Sequence, residues 1–163
     1  MEKNVVLKLA KYTKDYLTAH YQNVDVRLTR SDDRFLELGE RANIANRFDA
    51  DFFLSIHINS GGGTGYEDYV HSNIKPASST KKALAAIHAE VSKLWTSRTF
   101  KDRGMKAANY QVLRDTAMIA VLTESGFIDN AKDAALLKQD KFLHETAKAH
   151  AVGIAKAFGL KTK

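Results

Sequence analysis

The chain has no cysteine. This excludes disulfides and thiolate ligands, so any metal must be held by histidine, aspartate or glutamate. Proline is nearly absent, and Pro76 sits in a loop ahead of a long helical pattern. No apolar run approaches the roughly 20 residues needed to span a membrane, and no signal peptide precedes the first helix. The chain is therefore expected to act where it is made, or to rely on an export signal outside this sequence. Several chemical signatures are missing as well. No His-Glu-x-x-His pattern supports a helical zinc protease, and Gly61–Gly65 lacks the Lys-Ser/Thr of a phosphate loop. Ser55, Ser60 and Ser125 lack the Gly-x-Ser-x-Gly setting of a hydrolase nucleophile. The basic residues, among them Lys81, Lys82, Lys101, Arg103 and Lys161, are scattered and not interleaved with aromatics, which disfavours a nucleic-acid partner.

What is present describes a globular protein. The 163 residues, 44% hydrophobic and 27% charged, fit one domain over 1–163 with a real core. A formal charge of +6 and a pI near 9.4 favour anionic partners. Residues 2–19 read as an amphipathic helix through Val5, Val6, Leu9, Tyr12, Tyr16 and Leu17. Val24–Thr29 alternates in the manner of a strand with one buried face, and a second helix is predicted over 36–48. Phe52–Ile56 is a short apolar strand of the type buried on both faces, followed by the glycine loop 61–65 and a strand at Tyr66–Val70. A long helix begins near 77–80. Strands are then predicted at Tyr110–Leu113 and Met118–Thr123, and a last helix at roughly 140–158. Alternating strands and helices predict an α/β domain with helices on both faces of its sheet.

In such sheets chemistry collects beyond the carboxyl ends of strands. His57 follows one buried strand and Glu124 another. His57 reads equally as a hydrogen-bonded core histidine. Glu124 is costly to bury unless it is paired, with Arg114 or Arg41 as candidates, or bound to a metal. Glu2 shares a helical face with Val6 and Leu9, and is also a simple helix N-terminal acid. Together, one histidine and two glutamates suit zinc, but two ligands and a base fall one ligand short of a catalytic site. Of the other histidines, His20 ends the first helix, and His88, His144 and His150 fall within helices, where surface or half-buried positions are expected. His71, after a strand, is the one spare ligand the pattern offers.

Ordered motifs then carry a resemblance over nearly the whole chain. They are Glu2-Lys3-Asn4, Leu28-Thr29-Arg30, the Leu38–Asn46 stretch, Ala50-Asp51-Phe52-Phe53-Leu54-Ser55-Ile56-His57-Ile58-Asn59-Ser60 and Gly65-Tyr66-Glu67-Asp68-Tyr69. Asp102–Lys106, Val112-Leu113-Arg114 and Thr123-Glu124-Ser125-Gly126-Phe127-Ile128-Asp129-Asn130 complete the set. In this order they resemble the zinc-dependent N-acetylmuramoyl-L-alanine amidases of the amidase-3 type, in particular those of sporulation, mother-cell lysis and phage lysins.

The resemblance implies a mixed twisted sheet of the phosphorylase/hydrolase-like kind. It implies cleavage of the amide between N-acetylmuramic acid and L-alanine in peptidoglycan. It further implies Zn2+ held by Glu2 and His57, Glu124 as catalytic carboxylate, and Asn59, Arg103 and Arg114 as substrate contacts. The expected partner is peptidoglycan, with anionic wall polymers as a further one, for a monomer without nucleic-acid or membrane partners. It would act secreted, at the cell wall, or after release by mother-cell or phage lysis. Family members begin with a buried strand that ends in a glycine-rich turn carrying the first zinc histidine. That strand is not in this sequence, so the third ligand is expected upstream of Met1, and a sheet lacking its first strand should expose apolar surface. A catalytically inactive wall-binding or regulatory remnant is the alternative function, and a zinc carboxypeptidase with a related sheet is a third.

Overall fold

A computed structural model describes residues 2–32 and 36–163, the side chain of Glu2 excepted. The elements run α1 (Glu2–His20), α2 (Leu38–Phe48), β1 (Phe52–Asn59), β2 (Tyr66–His71), α3 (Ser79–Ser97) and β3 (Asp102–Ala108). They continue with α4 (Gln111–Arg114), β4 (Ile119–Phe127), α5 (Ala131–Leu137) and α6 (Asp140–Phe158). The strands form one sheet in the order β1-β4-β2-β3. β1 runs parallel to β4 and β2 parallel to β3, while β2 and β4 are antiparallel, so the sheet is mixed.

The two faces of the sheet are covered differently because strand side chains alternate. Ile58, Tyr66, Val70 and Val121 pack with Leu9 of α1, Ile87 and Trp95 of α3, and Phe142 of α6 in the main core. Phe53, Ala120 and Leu122 face the other way, against Ala45 of α2 and Val112 and Leu113 of α4. Helices therefore lie on both faces, as the alternation of elements predicts. Ser78 caps α3 by accepting from the Lys81 N–H, satisfying one of the unpaired donors at a helix start. Gly126 has φ +79°, and a Cβ there would stand 2.6 Å from Cη2 of Trp95. The close seat of Trp95 on β4 thus requires glycine at this position.

Three expectations are corrected. Val24–Thr29 does not enter the sheet. Residues 24–28 form no ladder with any described strand. A groove of about 1550 Å³ separates this run from the free edge of β1, with Val24, Val26 and Leu28 on one side and Phe52, Leu54 and Ile56 on the other. Alternation reports which residues seek burial, but a strand also needs a hydrogen-bonded neighbour. Tyr110–Leu113 is not a strand either. Tyr110 caps the single turn of α4, whose Val112 and Leu113 are buried against the sheet. Finally, β3 and α5 stand where no element was predicted. β3 alternates between exposed and half-buried positions and contains Arg103, Gly104 and Lys106, so no apolar run betrays it.

Candidate functional site

β1 and β4 are parallel and deliver their carboxyl ends side by side, where chemistry collects in open α/β sheets. His57 of β1 is the register partner of Glu124 of β4. Glu124 is in turn opposite Glu67 of β2. Register partners project to the same face about 5 Å apart. His57, Glu124 and Glu67 therefore form one row across three adjacent strands, on the face that carries α2 and α4. A bulge between His57 and Asn59 ends the β1–β4 ladder beside this row.

His57 Nε2 lies 2.9 Å from Oγ of the buried Ser55. Burial, reinforced by the charge of Arg41, lowers its pKa to about 4, so the ring is neutral at pH 7. A neutral imidazole is the form that binds a metal. In its donor chemistry His57 fits the role of zinc ligand. The side chain of Glu2 lies outside the described residues, and among the described residues no three His, Asp or Glu side chains gather to hold an ion. The described residues thus include a fitting ligand in His57 and no group of three.

Glu67 organises the other end of the row, a role that sequence reading missed. Its side chain is 4% exposed. Asn59 Nδ2 donates to its Oε1 at 2.5 Å, Arg103 Nε donates to its Oε2 at 3.3 Å, and Lys106 Nζ donates to the same oxygen. Burial pushes the carboxyl pKa up. The hydrogen bonds from Lys106 and Asn59 and the charges of Lys106 and Arg103 more than reverse this, leaving it below its ordinary value. The neighbouring Tyr69 hydroxyl is raised by burial and by the charge of Glu67. The Arg103 guanidinium also lies 4.8 Å from the centre of the Phe127 ring. Of the predicted substrate contacts, Asn59 and Arg103 are therefore drawn into one cluster with Glu67. Arg114 stands apart from it on α4, paired with Asp115 at 3.2 Å.

The glycine loop at the rim is tied down by two aspartates. Asp129 Oδ2 accepts from the N–H groups of Gly61 and Gly62 at 3.0 and 2.8 Å. Asp133, fully buried, accepts from Thr64 Oγ1 and from the N–H groups of Gly65 and Phe127. These bonds fasten the end of β1 to the end of β4 around the row. Asp129 belongs to a motif read in the sequence, whereas Asp133 carries no local signal.

The remaining histidines lie elsewhere. His71 bonds Asn109 at the end of β2 remote from Glu124, so it is not a spare ligand for this row. His20 and His144 are exposed, each stacked on a tyrosine. The expectation for His88 and His150 is corrected, because both are buried. His88 Nδ1 meets both oxygens of Asp68 at 2.9 Å and its Nε2 meets Asp102 at 2.9 Å. His150 Nε2 lies 2.9 Å from Thr123 Oγ1. Each has a polar partner far away in sequence, which removes the cost of burying the ring.

Comparison with known proteins places the sequence and the fold among relatives. Residues 1–156 match the family model described as N-acetylmuramoyl-L-alanine amidase. The sporulation-specific N-acetylmuramoyl-L-alanine amidase of Bacillus subtilis (strain 168) is 44% identical over 160 residues, which cover 98% of this chain and 61% of that protein. The endolysin of Bacillus phage SPP1 is 48% identical over 163 residues, 99% of this chain and 60% of the endolysin. The chain thus spans about three-fifths of the length of these relatives. Among solved structures, the catalytic domain of CwlV, an N-acetylmuramoyl-L-alanine amidase from Bacillus (Paenibacillus) polymyxa var. colistinus, superposes with a TM-score of 0.89 at 34% identity. That match covers 99% of this chain and 87% of the other.

Proposed function

Because the chain belongs to the N-acetylmuramoyl-L-alanine amidase family, we propose that it hydrolyses the amide between N-acetylmuramic acid and L-alanine in peptidoglycan. One observation carries the reading: His57 and Glu124 stand side by side at the carboxyl ends of two parallel strands. In the proposed reaction Glu124 accepts a proton from a water that attacks the lactyl carbonyl carbon. The carbon–nitrogen bond then breaks, and Glu124 passes that proton to the departing alanine nitrogen. The products are a glycan strand with a free lactyl carboxylate and a stem peptide with a free amino terminus. Asn59 and Arg103 border the row and orient the substrate, and Arg114 is a more distant contact.

Zinc is part of this proposal, with His57 and Glu2 among its ligands. When bound, the ion would polarise the carbonyl and acidify the water. The setting is the bacterial wall, reached by secretion or by cell lysis. No helix among the described residues is long and apolar enough to cross a membrane.

Two variants test the proposal together. Glu124→Gln is expected to lower stem-peptide release from purified walls at least about 100-fold, the usual scale for removing a positioned acid–base group. Its circular dichroism spectrum and calorimetric zinc titration should stay unchanged. His57→Ala is expected to lose the zinc heat. Full activity in Glu124→Gln would contradict the proposed proton transfer, and an undiminished zinc titration in His57→Ala would remove His57 from the ligand set.

A further inference from the structure

The Glu67 cluster sets two partly exposed cations beside the row. Two cations, Arg103 and Lys106, converge on the buried Glu67 carboxylate, with the Glu124 carboxylate on the next strand. Arg103 commits its Nε to Glu67, and neither of its terminal nitrogens hydrogen-bonds to another described residue. Lys106 donates to Glu67 alone among the described residues, leaving the rest of its ammonium unengaged. Both side chains reach solvent, at 26% and 36% exposure. The cluster lies one strand spacing from Glu124, because Glu67 and Glu124 are register partners. Contacts with Glu67 and the Phe127 ring fix the plane of the Arg103 guanidinium. A guanidinium so held is prepared to bind a second carboxylate with its remaining nitrogens, at little further cost in side-chain entropy.

We propose that Arg103 and Lys106, positioned by the buried Glu67, form a recognition site for a carboxylate of the stem peptide next to the cleaved bond. This rests on the amidase reading and deepens it. The site would select peptides by the charge of their side carboxyls, so amidation of those groups in a wall would weaken recognition. Glu67 touches no reacting atom in this scheme and acts through the two cations.

The test is a binding measurement on the full chain carrying Glu124→Gln, so that turnover does not consume the probe. Two synthetic N-acetylmuramoyl peptides are titrated by calorimetry, identical except that the peptide carboxyls are free in one and amidated in the other. The free form is expected to bind about tenfold more tightly, the effect of one charge-assisted contact. Adding Lys106→Met should reduce that ratio to near one while leaving affinity for the amidated peptide within about twofold. Arg103→Met provides a second variant, in which the ratio should likewise fall to near one whatever it does to overall affinity. Equal binding of the two peptides, binding of neither, or a ratio that survives both substitutions would overturn the proposal. Hydrolysis by the chain with Glu124 intact is read separately on purified walls. Charge-selective binding without hydrolysis would sink the amidase reading and keep the anion site, and hydrolysis without charge selectivity would do the reverse.

Discussion

At the scale of single residues, the buried histidines are where charge and stability meet most directly. His150 is fully buried, and its Nδ1 lies 2.8 Å from the carbonyl of Thr146. Burial lowers its pKa to about 4, against a smaller upward pull from that carbonyl. The ring is therefore neutral in the folded protein at pH 7, whereas in the unfolded chain it gains a proton near pH 6.5. Its contribution to stability is complete above pH 6.5 and is lost as the pH falls toward 4, by about 3 kcal/mol in total. His88 has the opposite sign. Burial acts to lower it, and the hydrogen bonds and charges of Asp68 and Asp102 outweigh burial and raise it. Its contribution is complete below pH 6.5 and is lost as the pH rises through its folded value. Melting temperatures from pH 4 to pH 9 check both. His150→Gln should flatten the acid limb and His88→Gln the neutral-to-alkaline limb, and unchanged limbs would refute these assignments. Neither burial was legible in the sequence. A helical pattern shows which face a histidine occupies, but Asp68 and Thr123, which make burial tolerable, lie 20 and 27 residues away. Glu67 was hidden for the same reason, its cations being 36 and 39 residues distant. His57 and Glu124 were legible because each directly follows its own apolar run.

At the scale of elements, α3 and α6 pack backbone against backbone. A Cβ added at Gly153 of α6 would stand 2.6 Å from Cα of Ile87 and 3.1 Å from the carbonyl oxygen of Ala86, both backbone atoms of α3. No flexible side chain can yield there, so a larger residue must push the helices apart. Gly153→Val is expected to destabilise the fold by about 1–3 kcal/mol, the usual cost of overpacking a core. Urea denaturation measures it, and an unchanged midpoint would contradict the close approach. Elements that bury one regular stripe were readable. α1, α3 and α6 repeat apolar residues at helical spacing, and β1 and β4 carry their apolar runs between the two helical layers. Elements defined by their neighbours were not. Residues 24–28 have a strand's alternation and no strand beside them, whereas the sequence of β3 lacks a regular apolar alternation and the strand is built by pairing with β2. The turn of α4 buries Val112 and Leu113 in a stretch too short to display any period.

At the scale of the whole molecule, the order β1-β4-β2-β3 turns scattered motifs into a site. It aligns His57, Glu124 and Glu67 from three strands, and β3 then brings Arg103 and Lys106 alongside. The glycine loop, fastened by Asp129 and Asp133, frames the same end of the sheet. The net charge of +6 favours anionic partners, although the row itself contains two carboxylates. The central claim is that this row cleaves the lactyl amide and not a bond within the peptide. Mass spectrometry of an N-acetylmuramoyl-L-alanyl peptide incubated with the chain tests it most directly. The account predicts an intact peptide with a new alanine amino terminus together with a peptide-free muramic acid, both absent when Glu124→Gln replaces the wild type. Fragments cut between amino acids, with the muramic acid–alanine bond intact, would contradict it.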